Sequence, residues 1–175
     1  EPGEVEDVIM GAAAQQGTQG YNIGRLCAYT AGLPESVPGM ALDRMCASGL
    51  MAIDVAAKAI VTGEMKIAVA GGVESISLTQ NKHKNAHRAQ SQAVLARVPA
   101  AYIPMIETAE IVARRYGITR LAQDEYALQS QQRTAAAQKA GLFADEIIEV
   151  TTSVAVKDKN TGEVSHKNVT LALDE

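Results

Sequence analysis

The sequence has no tryptophan, a single phenylalanine, and only 3% aromatic residues among 175. A core built without large rings must be filled by Ala, Val, Ile and Leu. That suits closely packed helices and strands better than a loose all-β module. Only two cysteines occur, Cys27 and Cys46, too few for a thiolate metal framework or a disulfide-dense secreted domain. A reducing, cytoplasmic setting is therefore expected, with one Cys27–Cys46 bridge left open as an alternative. Positive charge is not in excess: 16 Lys and Arg stand against 20 Asp and Glu, a net charge of −4. The chain thus lacks the basic footprint of a nucleic-acid binder. No uninterrupted apolar run reaches the roughly 18 residues of a membrane span, and the acidic opening Glu1-Pro2-Gly3-Glu4 is not a signal peptide. Neither nucleic acid nor membrane is expected as a partner. Both ends read as cut edges. Residues 4–9 run straight into an apolar stretch, and Leu171-Ala172-Leu173-Asp174-Glu175 breaks off just after a strand-like pattern.

What the sequence does contain is alternation. Asp7–Ala14 reads as a strand with Val8, Ile9 and Met10 at its centre, followed by a Gly/Gln-rich loop, 15–20. Ile23–Ala31 reads as a helix stopped by Gly32 and Pro34. Val37–Met45 reads as a second strand and Cys46–Thr62 as a long helix ended by Gly63. In that helix Leu50, Ile53, Ala57 and Ile60 share one face, the other face is mostly Ala, and Asp54 and Lys58 pair at i, i+4. So few charges predict burial on most sides. Ile67–Ala70 is a continuous apolar run of the kind found in parallel strands covered on both faces. Strand, helix, strand, helix, strand within 77 residues predicts a βαβαβ unit, a parallel sheet with helices on both faces.

After residue 77 the character changes. Leu78–Arg97 holds Gln, Asn, Lys and His with little periodicity and reads as an excursion from the sheet. Thr108–Tyr116 predicts a short helix with Ala109, Val112, Ala113 and Tyr116 on one face. Thr119 then caps a long polar helix that runs to Ala140 and is ended by Gly141. Ile147–Val156 and Val164–Leu173 predict a hairpin around the turn Asn160-Thr161-Gly162.

The residue best placed for chemistry is Cys46, at the strand-to-helix junction Asp43-Arg44-Met45-Cys46-Ala47-Ser48-Gly49. The first amides of a helix lack internal partners and carry its positive dipole end, which favours a thiolate over a thiol. The same amides can donate to an oxyanion forming beside the sulfur. Small Ala47, Ser48 and Gly49 would let a substrate come close. Against this stands the plain alternative that Cys46 is a small buried core residue. His83 and His87 stand at i, i+4, as metal ligands on a helix do. No third ligand is close, and with Lys82, Lys84 and Arg88 they read as a solvated basic segment, with phosphate contact as the functional alternative. Gly17-Thr18-Gln19-Gly20 and Gly71-Gly72 lack the Lys-Ser/Thr of a nucleotide-binding loop.

Arg44-Met45-Cys46-Ala47-Ser48-Gly49-Leu50, followed by Ala52-Ile53, resembles the active-site cysteine segment of thiolases. Val69-Ala70-Gly71-Gly72-Val73-Glu74-Ser75-Ile76-Ser77 resembles that family's strand and Gly-Gly turn. Met105, Thr108-Ala109-Glu110 and Ala113-Arg114-Arg115-Tyr116-Gly117-Ile118 resemble the helix leading into its acyl pocket. Gln123-Asp124-Glu125-Tyr126-Ala127, Ser130-Gln131-Gln132-Arg133 and Asp145-Glu146-Ile147 continue the likeness in order, across nearly the whole chain.

The resemblance implies a thiolase-like α/β fold. Residues 1–77 would be part of the amino-terminal core, and 78–175 an inserted helical and β loop domain on the substrate side. It implies an acyltransferase that forms or cleaves 3-ketoacyl-CoA through an acyl-cysteine thioester at Cys46, with Met105 lining the pocket. No cofactor is implied: acyl-CoA and CoA are the reactants, and the complete protein would be a homodimer or homotetramer. A ketoacyl synthase-type condensing enzyme and a noncatalytic thiolase-like binding fragment are the alternatives. Asp43 departs from the Asn common in the family, and its carboxylate opposes a thiolate unless paired, with Arg44 at hand. Ile106 replaces a common Gly and would narrow the acyl pocket. The His and second Cys that thiolases also use, in Gly-rich loops, have no match here. Cys27 sits in a helical context, and His83, His87 and His166 match nothing catalytic.

Overall fold

Period-two alternation in the first strand organises the amino-terminal part. The computed structural model describes residues 1–173; Asp174 and Glu175, the acidic end read above as a cut edge, lie outside the described residues. The chain divides into two compact units, Glu1–Val98 and Pro99–Glu175. In the first, β1 (Asp7–Gly11) pairs in parallel with β2 (Gly39–Leu42) on one side and β3 (Ala68–Gly72) on the other, giving the order β2-β1-β3. Val8 stands opposite Gly39 and Val69. Successive side chains of a strand point to opposite faces, and the burial follows. Val8, 3% exposed, packs with Ala28 of α1 (Ile23–Thr30) and with Val37. Ile9, 1% exposed, packs with Ala52 and Ala56 of α2 (Ser48–Thr62). Two neighbouring residues thus seed two small cores, one under each helix, and the expected βαβαβ unit forms with helices on both faces. Three expected boundaries contract. β1 ends at Gly11 rather than Ala14, β2 begins after Pro38, which has no N–H for the ladder, and β2 stops at Leu42 rather than Met45.

The helix that crosses from β2 to β3 turns out differently from its reading in the sequence. Its buried residues are Ser48, Ala52, Ala56 and Ala59. Leu50 and Ile53, expected to be buried, are 72% and 51% exposed, and Ile60 and Val61 are exposed as well. The cause is close approach. Ala68, Ala70 and Gly72 leave β3 a shallow surface on this face, and only the Ala face of α2 can lie flat on it. The start of the helix comes closer still: a Cβ on Gly11 would fall 2.2 Å from the carbonyl carbon and oxygen of Ser48, and one on Gly72 would fall 3.0 Å from Gly49 Cα. Gly49 therefore also serves close packing on the sheet. The segment Met45–Thr62 also has the length and apolar composition of a membrane-crossing helix. Here it is the helix that packs on the parallel sheet.

Residues 73–98 carry only short helices, α3 (Ile76–Thr79) and α4 (Gln92–Arg97), with turns between, as the weak periodicity predicts. The second unit holds α5 (Met105–Tyr116), α6 (Arg120–Lys139) and an antiparallel hairpin of β4 (Val150–Lys157) and β5 (Val164–Leu171). Gly117 ends α5 in the left-handed conformation at φ +64°. The Thr119 hydroxyl accepts from the Ala122 N–H at 3.2 Å and starts α6. The hairpin pairs eight residues with eight, from Val150 opposite Leu171 to Lys157 opposite Val164. The Asp158 carboxylate accepts from the N–H groups of Asn160 and Thr161, 2.7 and 2.8 Å away, and shapes the turn. No described residue of this unit is buried.

Candidate functional site

All three parallel strands end toward one edge, and an open sheet offers its ligand crevice outside the carboxyl ends of its strands. A cavity of about 510 Å³ lies there. Its walls come from the ends of β1 (Gly11, Ala13) and β3 (Gly72, Val73, Glu74), from Ile76 and Gln80, and from the passage of β2 into α2 (Met45 and Cys46 before the helix, Ser48 and Gly49 at its start).

Cys46 is exposed, which removes the buried-core alternative, and both cysteines are free thiols, so no Cys27–Cys46 bridge forms. The thiol stands two residues ahead of α2 rather than at its first residue: Ala47 is the N-cap and the helix begins at Ser48. The chain reaches this place through a sharp turn. Met45 has φ +51°, in the left-handed region that a residue with a Cβ seldom adopts. Three bonds hold it there. The Asp43 carboxylate accepts from the Met45 N–H at 2.7 Å. The Ser48 hydroxyl accepts from the Arg44 N–H at 2.8 Å and donates to the Met45 carbonyl at 2.5 Å. Ser48 is 4% exposed, and its single hydroxyl satisfies both a donor and an acceptor across the turn. The expected Asp43–Arg44 pairing is absent among the described ion pairs. Asp43 instead braces the backbone one residue before the sulfur. Such a strained turn between strand and helix lifts a side chain clear of the surface.

In the wall of the cavity lies a polar cluster that sequence reasoning did not single out. Gln19, 2% exposed, donates to Glu74 Oε1 at 2.8 Å and to the Ala14 carbonyl at 2.9 Å. Its own carbonyl oxygen accepts from the Ser75 N–H. Glu74 Oε2 accepts from the Ala13 N–H at 2.7 Å. The hydrogen bond from Gln19 foremost, helped by the amides of Ala13 and Ala14 and opposed by partial burial, holds the Glu74 carboxyl below its ordinary value. The signal was there in part: Glu74 belongs to the Gly-Gly-Val-Glu-Ser segment, but nothing local marks Gln19 as buried.

The other sequence candidates are all exposed. Met105 is the first residue of α5 and is 75% exposed. His83, His87 and His166 are exposed, and among the described residues no group of three or more His, Cys, Asp or Glu is placed to hold a metal. A second cavity of about 320 Å³ lies within the second unit, lined by Gln138, Gly141, Phe143, Ala144, Ile147, Ala172 and Leu173. Among the described residues its lining presents no nucleophile or titratable group.

The fold and site define an α/β protein that displays a cysteine at the carboxyl edge of a parallel sheet. Comparison with known proteins narrows the class. The family model for the thiolase N-terminal domain matches residues 1–172. The chain is 41% identical over 161 residues to a beta-ketoadipyl-CoA thiolase of Pseudomonas putida, covering 84% of this chain and 40% of that protein. It is 39% identical over 153 residues to a 3-ketoacyl-CoA thiolase of Bacillus subtilis, covering 87% and 38%. A crystal structure of the Bacillus anthracis acetyl-CoA acetyltransferase superposes with a TM-score of 0.69 at 35% identity, over 95% of this chain and 43% of that one. The chain belongs to the thiolase family. It spans about 40% of the length of the curated relatives it matches.

Proposed function

We infer that the protein carrying this chain is an acyl-CoA C-acyltransferase that forms or cleaves 3-ketoacyl-CoA, with Cys46 as nucleophile. One observation carries the reading: an exposed thiol, raised on a braced left-handed turn, opens into a cavity at the carboxyl ends of the strands. In the first step the Cys46 thiolate attacks the thioester carbonyl of an acyl-CoA. A new carbon–sulfur bond forms, the bond to CoA breaks, and CoA leaves as its thiolate, which takes up a proton. In the second step acetyl-CoA, deprotonated at its methyl carbon, attacks the acyl-cysteine. The carbon–carbon bond forms and the Cys46 thiolate is released. Exchange between thioesters is nearly balanced in energy, so the covalent intermediate divides one difficult step into two easier ones. The reverse sequence, cleavage by CoA, uses the same intermediate.

CoA thioesters are the reactants in this reading, no cofactor takes part, and the enzyme is cytoplasmic and a homodimer or homotetramer. Residues 78–175 are the substrate-side insertion, and Met105 lines the acyl pocket. The proton carriers that the family resemblance implies, a His and a second Cys, have no counterpart in residues 1–175. Full turnover therefore belongs to the longer protein. The relatives' names, all thiolases, support this reading over a ketoacyl synthase.

Incubation of the complete protein with acetyl-CoA labelled in the acetyl group tests it. Label is expected on the peptide that contains Cys46 and is expected to be lost in Cys46→Ala, which should fold normally. Transfer retained in Cys46→Ala would overturn the assignment. Binding of acetyl-CoA without any label on Cys46 would favour a noncatalytic role.

A further inference from the structure

We propose that Gln19 and Glu74 form a positioning clamp that sets the wall of the Cys46 cavity and thereby the seat of the acyl-CoA. The proposal rests on the acyl-transfer reading above and adds to it two residues that need not touch the reacting atoms. β1 and β3 are neighbours in the sheet, and the chain leaves both at the edge where Cys46 stands. Beyond Gly11 and Gly72 the ladder can fasten them only once more, through the Val73 N–H to the Gly11 carbonyl at 3.0 Å. From there the sheet itself no longer ties the two exits, Ala13–Gln19 and Val73–Ser75, to each other. Gln19 and Glu74 close that gap with three bonds, and a fourth holds Gln19 to its own segment. Gln19 reaches the Ala14 carbonyl, the Glu74 carboxylate and the Ser75 N–H, while Glu74 returns to the Ala13 N–H.

A surface glutamine performs no such task, but this one is 2% exposed and ends a short 3-10 turn, Gly17–Gln19. A buried amide is tolerated only where its donors and acceptor are paired. Here they are paired across the two segments that wall the cavity, since Ala13, Val73 and Glu74 all line it. The anchored segment continues into α3, where Thr79, also 2% exposed, donates its hydroxyl to the Ser75 carbonyl at 2.8 Å.

The clamp has a direction: an amide donates and a carboxylate accepts. That permits an exchange experiment in the complete protein. Gln19→Glu sets two carboxylates against each other and should raise KM for acyl-CoA about tenfold or more while kcat changes less than about threefold, the sign of lost binding geometry rather than lost chemistry. The double variant Gln19→Glu/Glu74→Gln restores a carboxylate–amide pair across the gap with donor and acceptor exchanged but leaves the Ala14 carbonyl without its donor, so it should recover KM in part, by at least about threefold relative to the single variant. A KM unchanged in Gln19→Glu, or no recovery in the double variant, would overturn the clamp. Should the parent itself fail to label Cys46, the acyl-transfer reading falls by itself. The clamp is then judged on the same variants by the rate at which a bulky maleimide modifies Cys46 relative to iodoacetamide. That ratio should shift in the single variant and move back toward the parent's in the double, and a constant ratio would refute the clamp.

Discussion

The two units of this chain are held together in opposite ways. In residues 1–98 the decisive contacts are distant in sequence: Ile9 meets Ala52 and Ala56, Val8 meets Ala28 and Val37, and Ala13 is tied to Glu74. In residues 99–175 they are near neighbours: a Thr119 cap, an Arg120–Asp124 pair at 2.8 Å, and a hairpin closed by an Asp158 turn. One unit buries side chains on both faces of a sheet; the other buries none among its described residues. The thiol stands on the first. A nucleophile must be held in place, and that needs a scaffold that long-range packing makes stiff.

The sharpest way to break this contrast is to cut into each unit in turn. Ile9→Ala removes the largest fully buried side chain and should cost about 2–5 kcal/mol by denaturant unfolding. A cost below about 1 kcal/mol would mean the core under α2 is not what holds the first unit. Gly11→Ala comes next. Its new methyl would meet the Ser48 backbone, which cannot yield as a flexible side chain does, so about 1–3 kcal/mol should be lost, and α2 pushed outward. Slower or incomplete acylation of Cys46 should accompany that loss.

In the second unit the expected effects are smaller. Thr119→Ala should cost about 1 kcal/mol through the lost helix cap, seen as reduced helicity confined to residues 120–139. Asp124→Ala should cost only about 0.3–0.5 kcal/mol, and the difference should fade as salt is raised.

Acid separates the two units by mechanism. Glu74 and Asp158 both have folded values below the ordinary 4.5 and 3.8. Each therefore contributes its full stabilisation above those values and loses it as the pH falls through the lower folded value. For Glu74 the loss should appear as faster amide exchange at Ala13 and Ser75, because the clamp joins two segments. For Asp158 it should stay within the hairpin turn at Asn160 and Thr161. Glu74→Gln should flatten the first response and leave the second unchanged.

Much of this was legible in the amino acids. The alternation of Val8 and Ile9, the glycines that end α2 and α5 at positive φ, and the Thr119 cap are local signals, and each stands where expected. The face of α2 was not legible, because Leu50 and Ile53 look more like core than Ala52 and Ala56 until the shallow surface of β3 is known. The turn at Met45 was hidden for a similar reason. A left-handed methionine is costly alone and persists only because Asp43 and Ser48 satisfy the backbone around it. Gln19 was read as part of a polar loop, and only the neighbouring strand exits show why it is buried.

The order of helices and strands, their punctuation and the place of Cys46 between β2 and α2 follow from residue type and spacing, since propensity and turn chemistry act over a few neighbours. Which face of α2 meets the sheet, how the thiol is lifted, and which polar groups join the strand exits depend on surfaces that exist only once distant segments pack. Those were decided by the tertiary structure, because steric fit and the pairing of buried polar atoms are properties of the assembled chain.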